Sequence, residues 1–272
     1  MLDSANLTEI RCVKELGLLE GLTTNPLIFK RGWREENYEG SFLDYAKRIL
    51  ELTAESPTFF QVIGRSKEEI QQHAHNLYDN LKQYGNVYIK VPIDVRTEEN
   101  EPFYEGFQAI RELCKEKVPI LATAIVTPTQ AFLAAKAGAD YAALMLRPYD
   151  ESIASNLDVT LDQTGYLDNE YVQKIVLTKG KEIRTYLSGF DILHRTAEIL
   201  KTQKLETKLL IAGIRNPIQA SQVLATEGVS AITLPYTVFT SLFPHERTKK
   251  FVVDTYDATP PSYRAFLNHG KR

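Results

Sequence analysis

Residues 120–146 read ILATAIVTPTQAFLAAKAGADYAALML, and this stretch contains one complete unit of the fold. Its two apolar runs, Ile120–Val126 and Tyr141–Leu146, enclose a segment that begins Thr127-Pro128-Thr129-Gln130. A threonine N-cap, a proline at the first helical position and a glutamine three residues after the cap are typical of a helix start. Apolar runs without clean alternation are typical of parallel strands that helices cover on the outside. The stretch therefore predicts a strand–helix–strand unit with a helix over Pro128–Ala137.

The same alternation runs along the rest of the chain. Six further apolar runs predict strands over Met1–Asp3, Gly21–Asn25, Thr58–Ile63, Val87–Pro92, Lys208–Ile214 and Ala231–Pro235. The segments between them predict helices over Asn6–Leu18, Arg34–Thr53, Lys67–Gln83, Phe103–Lys115 and Pro217–Thr226, the last with the cap-then-proline pair Asn216-Pro217. Eight repeats without a long polar linker predict an α/β fold, a closed (β/α)₈ or TIM barrel, in a single domain covering residues 1–272. An open doubly wound sheet is the alternative, but the Gly-rich turn that usually follows its first strand is missing.

One segment departs from this rhythm. Between Arg147 and Lys208 lie about sixty residues, roughly twice what one loop and one helix need. Asn169–Leu187 and Ile192–Gln203 both predict helices. We therefore expect a helical insertion after the sixth strand, at roughly residues 150–190, beside the barrel helix.

The C-terminal tail, residues 245–272, follows the last strand and helix. It contains Tyr256, Tyr263 and Phe266, and a tail with aromatic side chains is more often packed than free. A neighbouring subunit is one surface it could pack on. We expect a helical tail and a homo-oligomer.

Composition excludes several classes of protein. The net charge is −3, from 32 basic and 35 acidic residues, which gives no electrostatic reason to expect a nucleic-acid partner. No apolar run approaches the roughly 20 residues that span a bilayer, so no membrane association is expected. The start, MLDSANLTEIRCVKE, lacks the basic end and apolar core of a secretory signal. With two cysteines, Cys12 and Cys114, in no metal-type spacing, we expect free thiols and a cytoplasmic protein.

Lys90 interrupts the apolar run Val87-Tyr88-Ile89-Lys90-Val91-Pro92. A charged lysine in a barrel interior is strongly destabilised, and the usual resolution is a lowered pKa that leaves a neutral, nucleophilic amine. The alternative is a lysine at the exposed rim of the strand, with its ammonium group in water. Spacing alone does not decide between the two.

Other polar residues stand at the ends of the predicted strands, where barrels carry their reacting groups. They are Asp3, Thr23, Thr24, Asn25, Gln61, Thr123, Arg147 and Arg215. Each alone has a structural explanation: a helix cap, a strand threonine or a rim ion pair. A buried amide such as Gln61 needs hydrogen-bond partners. The set as a whole, at one end of the barrel with Lys90, favours a functional site.

The two arginines and the helix start at Asn216 suggest an anion site, because guanidinium groups and helix N-termini both donate to phosphate oxygens. Metal chemistry is not indicated, since none of the five histidines lies at a strand end. Motifs of nucleotide binding and serine hydrolysis are absent as well. We therefore expect no metal and no cofactor.

Several blocks together resemble the transaldolase family, and within it the small transaldolases and fructose-6-phosphate aldolases. They are Gly21-Leu22-Thr23-Thr24-Asn25-Pro26, Ile89-Lys90-Val91-Pro92, Ala122-Thr123-Ala124 with Gln130 and Ala131, Ala137-Gly138-Ala139-Asp140-Tyr141, and Ile232-Thr233-Leu234-Pro235. The likeness covers nearly the whole chain apart from the insertion. The first two blocks, at their separation, are the specific ones.

The resemblance implies a metal-independent barrel enzyme in which Lys90 forms a Schiff base with the ketone of a ketose phosphate. It implies cleavage of the C3–C4 bond, with the dihydroxyacetone unit held as an enamine and then transferred or released. By the same likeness Asp3 is the acid/base group, and Thr123 and Gln61 position a water. Asn25 holds the donor hydroxyls. Further substrate-binding positions are then Thr24, Arg147, Gly213 and Arg215.

The chain also departs from the family. Glutamine at Gln61 matches the fructose-6-phosphate aldolases, whereas transaldolases proper usually carry glutamate. Met145 replaces an aromatic residue, Arg147 comes one residue early, and Gly213 replaces a serine before Arg215. A sulfonated sugar is therefore an alternative to a sugar phosphate. A barrel that has lost turnover and only binds a sugar phosphate or a protein partner is the second functional class.

Overall fold

The computed structural model describes residues 1–180 and 187–268, and its centre is one sheet of parallel strands. The strands are β1 (Leu2–Asp3), β2 (Leu22–Thr23), β3 (Thr58–Gln61), β4 (Val87–Pro92), β5 (Ile120–Ile125), β6 (Tyr141–Met145), β7 (Lys208–Ala212), β8 (Val229–Ile232) and β9 (Leu234–Pro235). From β1 to β8 each strand pairs in parallel with the next one along the chain. This consecutive parallel pairing confirms the predicted TIM-barrel fold.

The barrel closes through a single residue, Thr233, which separates β8 from β9. The Thr233 amide donates to the carbonyl oxygen of Ile211 at 2.9 Å, and the Leu234 amide donates to that of Met1 at 3.2 Å. Strand β9 also pairs in parallel with β1. Strands β8 and β9 are therefore two parts of the predicted eighth strand, and they join β7 to β1.

Helices cover the outside of the sheet. They are α1 (Leu7–Glu15), α2 (Pro26–Glu35), α3 (Phe42–Thr53), α4 (Lys67–Leu81), α5 (Glu105–Lys115), α6 (Pro128–Ala137), α7 (Leu146–Asn156), α8 (Asn169–Thr178), α9 (Gly189–Thr202), α10 (Pro217–Leu224), α11 (Tyr236–Ser241), α12 (Glu246–Ala258) and α13 (Pro261–Asn268). Helix α6 has the predicted bounds. Its capping box is formed because Thr127 and Gln130 each accept a hydrogen bond from the other's backbone amide.

The single helix predicted over Arg34–Thr53 is wrong. The chain forms α2 and α3 there, and α2 begins directly after β2. The Asn25 side chain caps α2 by accepting from the amides of Leu27 and Ile28 at 2.9 and 3.0 Å, with Pro26 at the first helical position. This early start places the cap residue Asn25 at the mouth of the barrel.

The interior of the barrel is filled by alternate residues of successive strands. Phe59, Tyr88 and Tyr141 pack against one another, with ring centroids 5.1 to 5.5 Å apart. Leu121, Ala143 and Leu210 are further buried members of this interior cluster. This packed cluster fills the interior of the barrel, so the cavity inside the barrel lies at the carboxyl end of the strands.

The insertion after β6 consists of α7 and α8. It begins at Leu146, earlier than the predicted residue 150, and α8 ends at Thr178; residues 181–186 of the predicted helix Asn169–Leu187 lie outside the described residues. The two helices share a small core of their own. Helix α9 packs against α6 and α7 and is the barrel helix.

The tail forms two helices, α12 and α13, in which no described residue is buried. Seven of their apolar side chains are exposed: Phe251, Val252, Val253, Tyr256, Tyr263, Phe266 and Leu267. The expected helices are therefore present, but they do not pack against the barrel of the same chain. Within the described ranges no helix is long and apolar enough to cross a membrane.

Candidate active site

A cavity of about 140 Å³ lies at the carboxyl end of the barrel. Seven of the nine predicted site residues line it: Asp3, Asn25, Lys90, Thr123, Arg147, Gly213 and Arg215. Because they come from six different strands or the turns that follow them, only the closed barrel brings them together.

Lys90 lies in the middle of β4, with Ile89 and Val91 buried on the opposite face. The residue is only 8% exposed, which rules out the rim position. Its Nζ donates a hydrogen bond of 3.2 Å to the carbonyl oxygen of Thr24. Burial lowers the pKa of Lys90, and the Asp3 carboxylate partly opposes this effect. A lowered pKa raises the fraction of neutral amine at neutral pH, which is the form that attacks a carbonyl.

Asp3 ends β1 on the same cavity. Its Oδ1 accepts a hydrogen bond of 2.7 Å from the Thr23 hydroxyl, which also lies 2.6 Å from the hydroxyl of Thr233. Burial raises the pKa of Asp3, while the Thr23 hydrogen bond and the charge of Lys90 act in the opposite direction. A carboxyl group with a raised pKa beside an amine with a lowered pKa is an arrangement typical of proton-transfer sites.

Thr123 lies at an irregularity in β5. The register between β5 and β6 shifts between Ala122 and Ile125, and Ala124 has a φ of 59°. Bulges of this kind redirect side chains next to active sites. The Thr123 side chain lines the cavity and makes no hydrogen bond within the described part of the chain, so its hydroxyl is available to a substrate or a water.

Asn25 contributes to the cavity and to α2 at once. Its Oδ1 is taken by the two backbone amides that it caps. Its Nδ2 has no hydrogen-bond acceptor among residues 1–180 and 187–268. The cap therefore holds the side chain in place and leaves two N–H donors for a ligand.

Arg147 lies in the first turn of α7, and its donors are largely occupied. Its Nε donates to Glu151 at 2.6 Å, and its Nη1 donates to the carbonyl oxygens of Asp162 and Gly165 at 2.8 and 2.9 Å. A longer contact of 3.5 Å joins Nη2 to the carbonyl oxygen of Leu161. Arg147 thus ties loop 161–165 to the barrel, a structural task that the sequence did not indicate.

Arg215 differs from Arg147 because its Nε is buried without a hydrogen-bond partner among the described residues. Burial and the nearby charge of Arg147 lower the pKa of Arg215. A buried N–H without an acceptor costs about 1–3 kcal/mol, which a bound anion would offset. Arg215 is therefore the stronger candidate for holding an anionic group.

Gly213 lies where the backbone conformation and the close packing both require glycine. Its φ is +80°, and a Cβ atom there would lie 2.7 Å from the backbone nitrogen of Arg147. The end of β7 can approach the start of α7 this closely only with glycine.

Two predicted residues do not line the cavity. The hydroxyl of Thr24 donates to the carbonyl oxygen of Phe59 at 2.6 Å, and only the Thr24 carbonyl oxygen reaches Lys90. Gln61 pairs in register with Lys90, but it lines a separate groove of about 910 Å³ outside the barrel mouth. Thr233, which the prediction left out of the site, lines the cavity. The signal for it was the same as for Thr123, a polar residue that interrupts an apolar run.

The histidine, cysteine and carboxylate side chains of the described residues form no group of three or more that could hold a metal ion. The groups with chemistry at the cavity are instead an amine, a carboxyl group, hydroxyls, an amide and guanidinium groups. Fold and site together define the class of TIM-barrel enzymes that work from the carboxyl ends of their strands.

Residues 1–268 match the family model described as Transaldolase/Fructose-6-phosphate aldolase, and the chain belongs to this family. A protein of Leptospira biflexa named "Probable transaldolase" is 30% identical over 258 residues, covering 93% of this chain and 96% of its own length. One of the same name from Maridesulfovibrio salexigens is 31% identical over 252 residues, covering 92% of both chains. The family resemblance is thereby confirmed, and the protein is an enzyme of the transaldolase and aldolase type.

Proposed function

We propose that the protein cleaves the C3–C4 bond of a ketose phosphate by Schiff-base catalysis at Lys90. The observation that carries this proposal is the buried amine of Lys90, with its lowered pKa, in the same cavity as the Asp3 carboxyl group. The neutral amine attacks the C2 ketone, and the resulting carbinolamine loses water to give an iminium ion. This cation accepts the electron pair of the C3–C4 bond.

Asp3 carries the proton in the cleavage step. As a carboxylate it takes the proton of the C4 hydroxyl while the C3–C4 bond breaks, and an aldehyde leaves. The dihydroxyacetone unit remains on Lys90 as an enamine. The enamine then adds to an acceptor aldehyde, or it is protonated at C3 and hydrolysed to free dihydroxyacetone and the free amine.

The remaining groups position the reactants. Asn25 donates its free amide N–H groups to the hydroxyls of the donor, and Thr123 holds the water that enters and leaves. The expected contribution of Gln61 to holding this water stays a prediction, because Gln61 lines the neighbouring groove. Arg215 binds the anionic end, a phosphate or, in a sulfonated sugar, a sulfonate.

Borohydride trapping tests the proposal. Reduction in the presence of fructose 6-phosphate should add one donor-derived mass to the peptide that contains Lys90. The Lys90→Met variant should fold and give no adduct, and a control variant at an exposed lysine of α6, Lys136→Met, should label like the wild type. An adduct at another lysine would overturn the assignment. Binding of the sugar phosphate without any adduct or turnover would favour the binding-only barrel.

We also propose that the chain forms a homo-oligomer in which α12 and α13 pack on a neighbouring copy. The support is the row of seven exposed apolar side chains on two helices with no buried residue. Light scattering after gel filtration should give a multiple of 30.9 kDa for the full chain. Truncation before His245 should lower the mass. A full chain that elutes as a monomer at micromolar concentration would contradict this proposal.

We further propose that the protein is located in the cytoplasm. Cys12 and Cys114 are free thiols, and burial raises the pKa of Cys114 to about 12, so this thiol is unreactive at neutral pH. Free thiols persist in reducing compartments. Recovery of the untagged protein from the periplasmic or secreted fraction would contradict the proposal.

A further inference from the structure

We propose that Arg31, on α2, is a specificity residue that binds the acidic end of the substrate together with Arg215. This inference rests on the proposed function, because it assigns a second cation to the anionic end of the same substrate. It also removes that task from Arg147.

A second cavity of about 550 Å³, the outer chamber, adjoins the cavity around Lys90. The two spaces share the walls formed by Asp3, Arg147, Arg215 and Pro235. The outer chamber adds Arg31, which does not line the inner cavity. A substrate whose ketone carbon reaches Lys90 therefore has its far end in a chamber walled by three guanidinium groups.

The three arginines differ in how far their donors are already used. Arg147 donates to Glu151 and to the backbone of loop 161–165, as described above. Arg215 has an unpaired buried Nε. Arg31 has only loose ion pairs, 4.0 Å to Glu9 and 3.8 Å to Glu35, and makes no hydrogen bond among the described residues. Of the three arginines that line the outer chamber, Arg31 and Arg215 are thus the two with donors left free by the described residues.

Residues at the start of α2 and within it line both the inner cavity and the outer chamber. Asn25, Ile28 and Arg31 are spaced by three, so each is the neighbour of the next on the surface of α2, and the row turns gradually around the helix axis. Asn25 lines the inner cavity, while Ile28 and Arg31 line the outer chamber. Six residues of helix rise about 9 Å, comparable with the length of an extended six-carbon sugar phosphate. Helix α2 thereby supplies the group for the donor hydroxyls to the inner cavity and the group for the acidic end to the outer chamber.

The position of α2 is fixed by a close backbone contact. A Cβ atom on Gly32 would lie 2.7 Å from the carbonyl carbon of Ala5. The backbone of α2 next to Arg31 therefore packs directly on the segment that follows β1 and Asp3. The Arg31 side chain is half-exposed, so only part of the full strength of a buried charged contact is expected.

Calorimetric binding tests the inference with Arg31→Ala and Arg31→Lys. Arg34→Ala is the matched control, because Arg34 is exposed on the same helix and does not line the chamber. Arg31→Ala should weaken the binding of fructose 6-phosphate and of inorganic phosphate about 5- to 30-fold. The binding of fructose should change less than about twofold. Arg31→Lys should recover part of the loss, and Arg34→Ala should match the wild type.

Two outcomes would overturn the inference. One is an equal loss for fructose and fructose 6-phosphate, which would make Arg31 a structural residue. The other is unchanged phosphate affinity in Arg31→Ala. Phosphate binding needs no imine, so failure of borohydride trapping at Lys90 would remove the proposed function and leave this measurement readable.

Discussion

The amine of Lys90 donates its hydrogen bond to the main-chain carbonyl oxygen of Thr24, from β4 to the turn after β2, over 3.2 Å. Thr24 therefore contacts Lys90 through its backbone carbonyl oxygen. Its hydroxyl donates instead to the carbonyl oxygen of Phe59. The contact orients the amine without neutralising it. We therefore expect substrate binding not to depend on the side chain at position 24.

The variant Thr24→Val tests this separation of roles. Valine keeps the branched shape and the backbone, and it removes one buried hydrogen bond, so unfolding free energy should fall by about 1 kcal/mol in urea titrations. The KM for fructose 6-phosphate should stay within about twofold of the wild type. A tenfold rise in KM at unchanged kcat would show that the hydroxyl does contact the substrate.

The pH dependence of adduct formation reports on Lys90 directly. Burial lowers the pKa of Lys90, and the neutral amine is the attacking form. The initial rate of adduct formation should therefore rise with pH and level off with a midpoint below about 10.4, the ordinary value for lysine. In Asp3→Asn the opposing carboxylate is gone, so the midpoint should move further down. A midpoint that stays near the ordinary value would indicate an amine exposed to water.

Turnover should depend on Asp3 far more than adduct formation does. Asp3→Asn keeps the size of the side chain but cannot take the C4 hydroxyl proton, so kcat should fall roughly 10²- to 10⁴-fold. The reduced adduct at Lys90 should still form. Asp79→Asn, an exposed carboxylate of α4, is the control for a change of charge alone. Turnover near that of the wild type in Asp3→Asn would leave Asp3 a structural residue.

The barrel could be predicted from the sequence because strands that are buried on both faces are written as short continuous apolar runs. The prediction misses α2 because it places Asn25 at the end of a strand, although Asn25-Pro26 has the same cap-then-proline form as Asn216-Pro217, which begins α10. It missed α7 because Met145 offers no side-chain cap. These are local errors, and each has a local physical cause.

The site was harder to predict than the fold for a different reason. Lys90, Asp3 and Thr123 lie together because the barrel gathers the ends of its strands. Both the barrel and these strand ends can be predicted from the sequence. The partners that Arg147 finds in loop 161–165 depend on the path of the insertion, which no periodicity describes. Arg31 gave no signal because it lies inside a helix and not at the end of a strand.

The difference between the two strand-end arginines can be measured. Arg215→Ala should raise the KM for fructose 6-phosphate by about 10- to 150-fold with a smaller change in kcat, because it removes a charge-assisted contact far from the bond that breaks. Uncharged dihydroxyacetone should be affected far less. Equal losses for charged and uncharged substrates would place the anion site elsewhere.

We expect Arg147→Ala to destabilise the fold rather than to weaken only the binding of anions. Three backbone carbonyl oxygens lose their donor, so the free energy of unfolding should fall by about 2–4 kcal/mol, and Arg147→Lys should recover little of it. Because loop 161–165 loosens, the KM should rise for charged and uncharged substrates alike. Denaturant titration and limited proteolysis at this loop check the expectation. An unchanged stability with a rise in KM for charged substrates alone would restore Arg147 as the anion-binding group.

Asp150 makes the insertion sensitive to pH. The residue is 1% exposed and accepts hydrogen bonds from the amides of Leu167 and Gly189 at 3.3 and 3.2 Å, thereby joining α7 to the segment before α8 and to the start of α9. Burial raises its pKa to about 6, above the roughly 3.9 of an unfolded chain. Between these values the native state holds a proton that the unfolded state has lost, so the contribution of Asp150 to stability falls as pH rises and is constant above about pH 7.

The comparison with Asp150→Asn isolates this contribution, since asparagine does not titrate. The difference in unfolding free energy, wild type minus variant, should decrease by about 2–3 kcal/mol from pH 4 to pH 7. Urea titrations at pH 4, 5, 6 and 7 measure it. An exposed carboxylate of the same insertion, in the variant Asp158→Asn, should show no such trend. Parallel curves for wild type and Asp150→Asn would mean that Asp150 ionises as readily in the folded protein as in the unfolded chain.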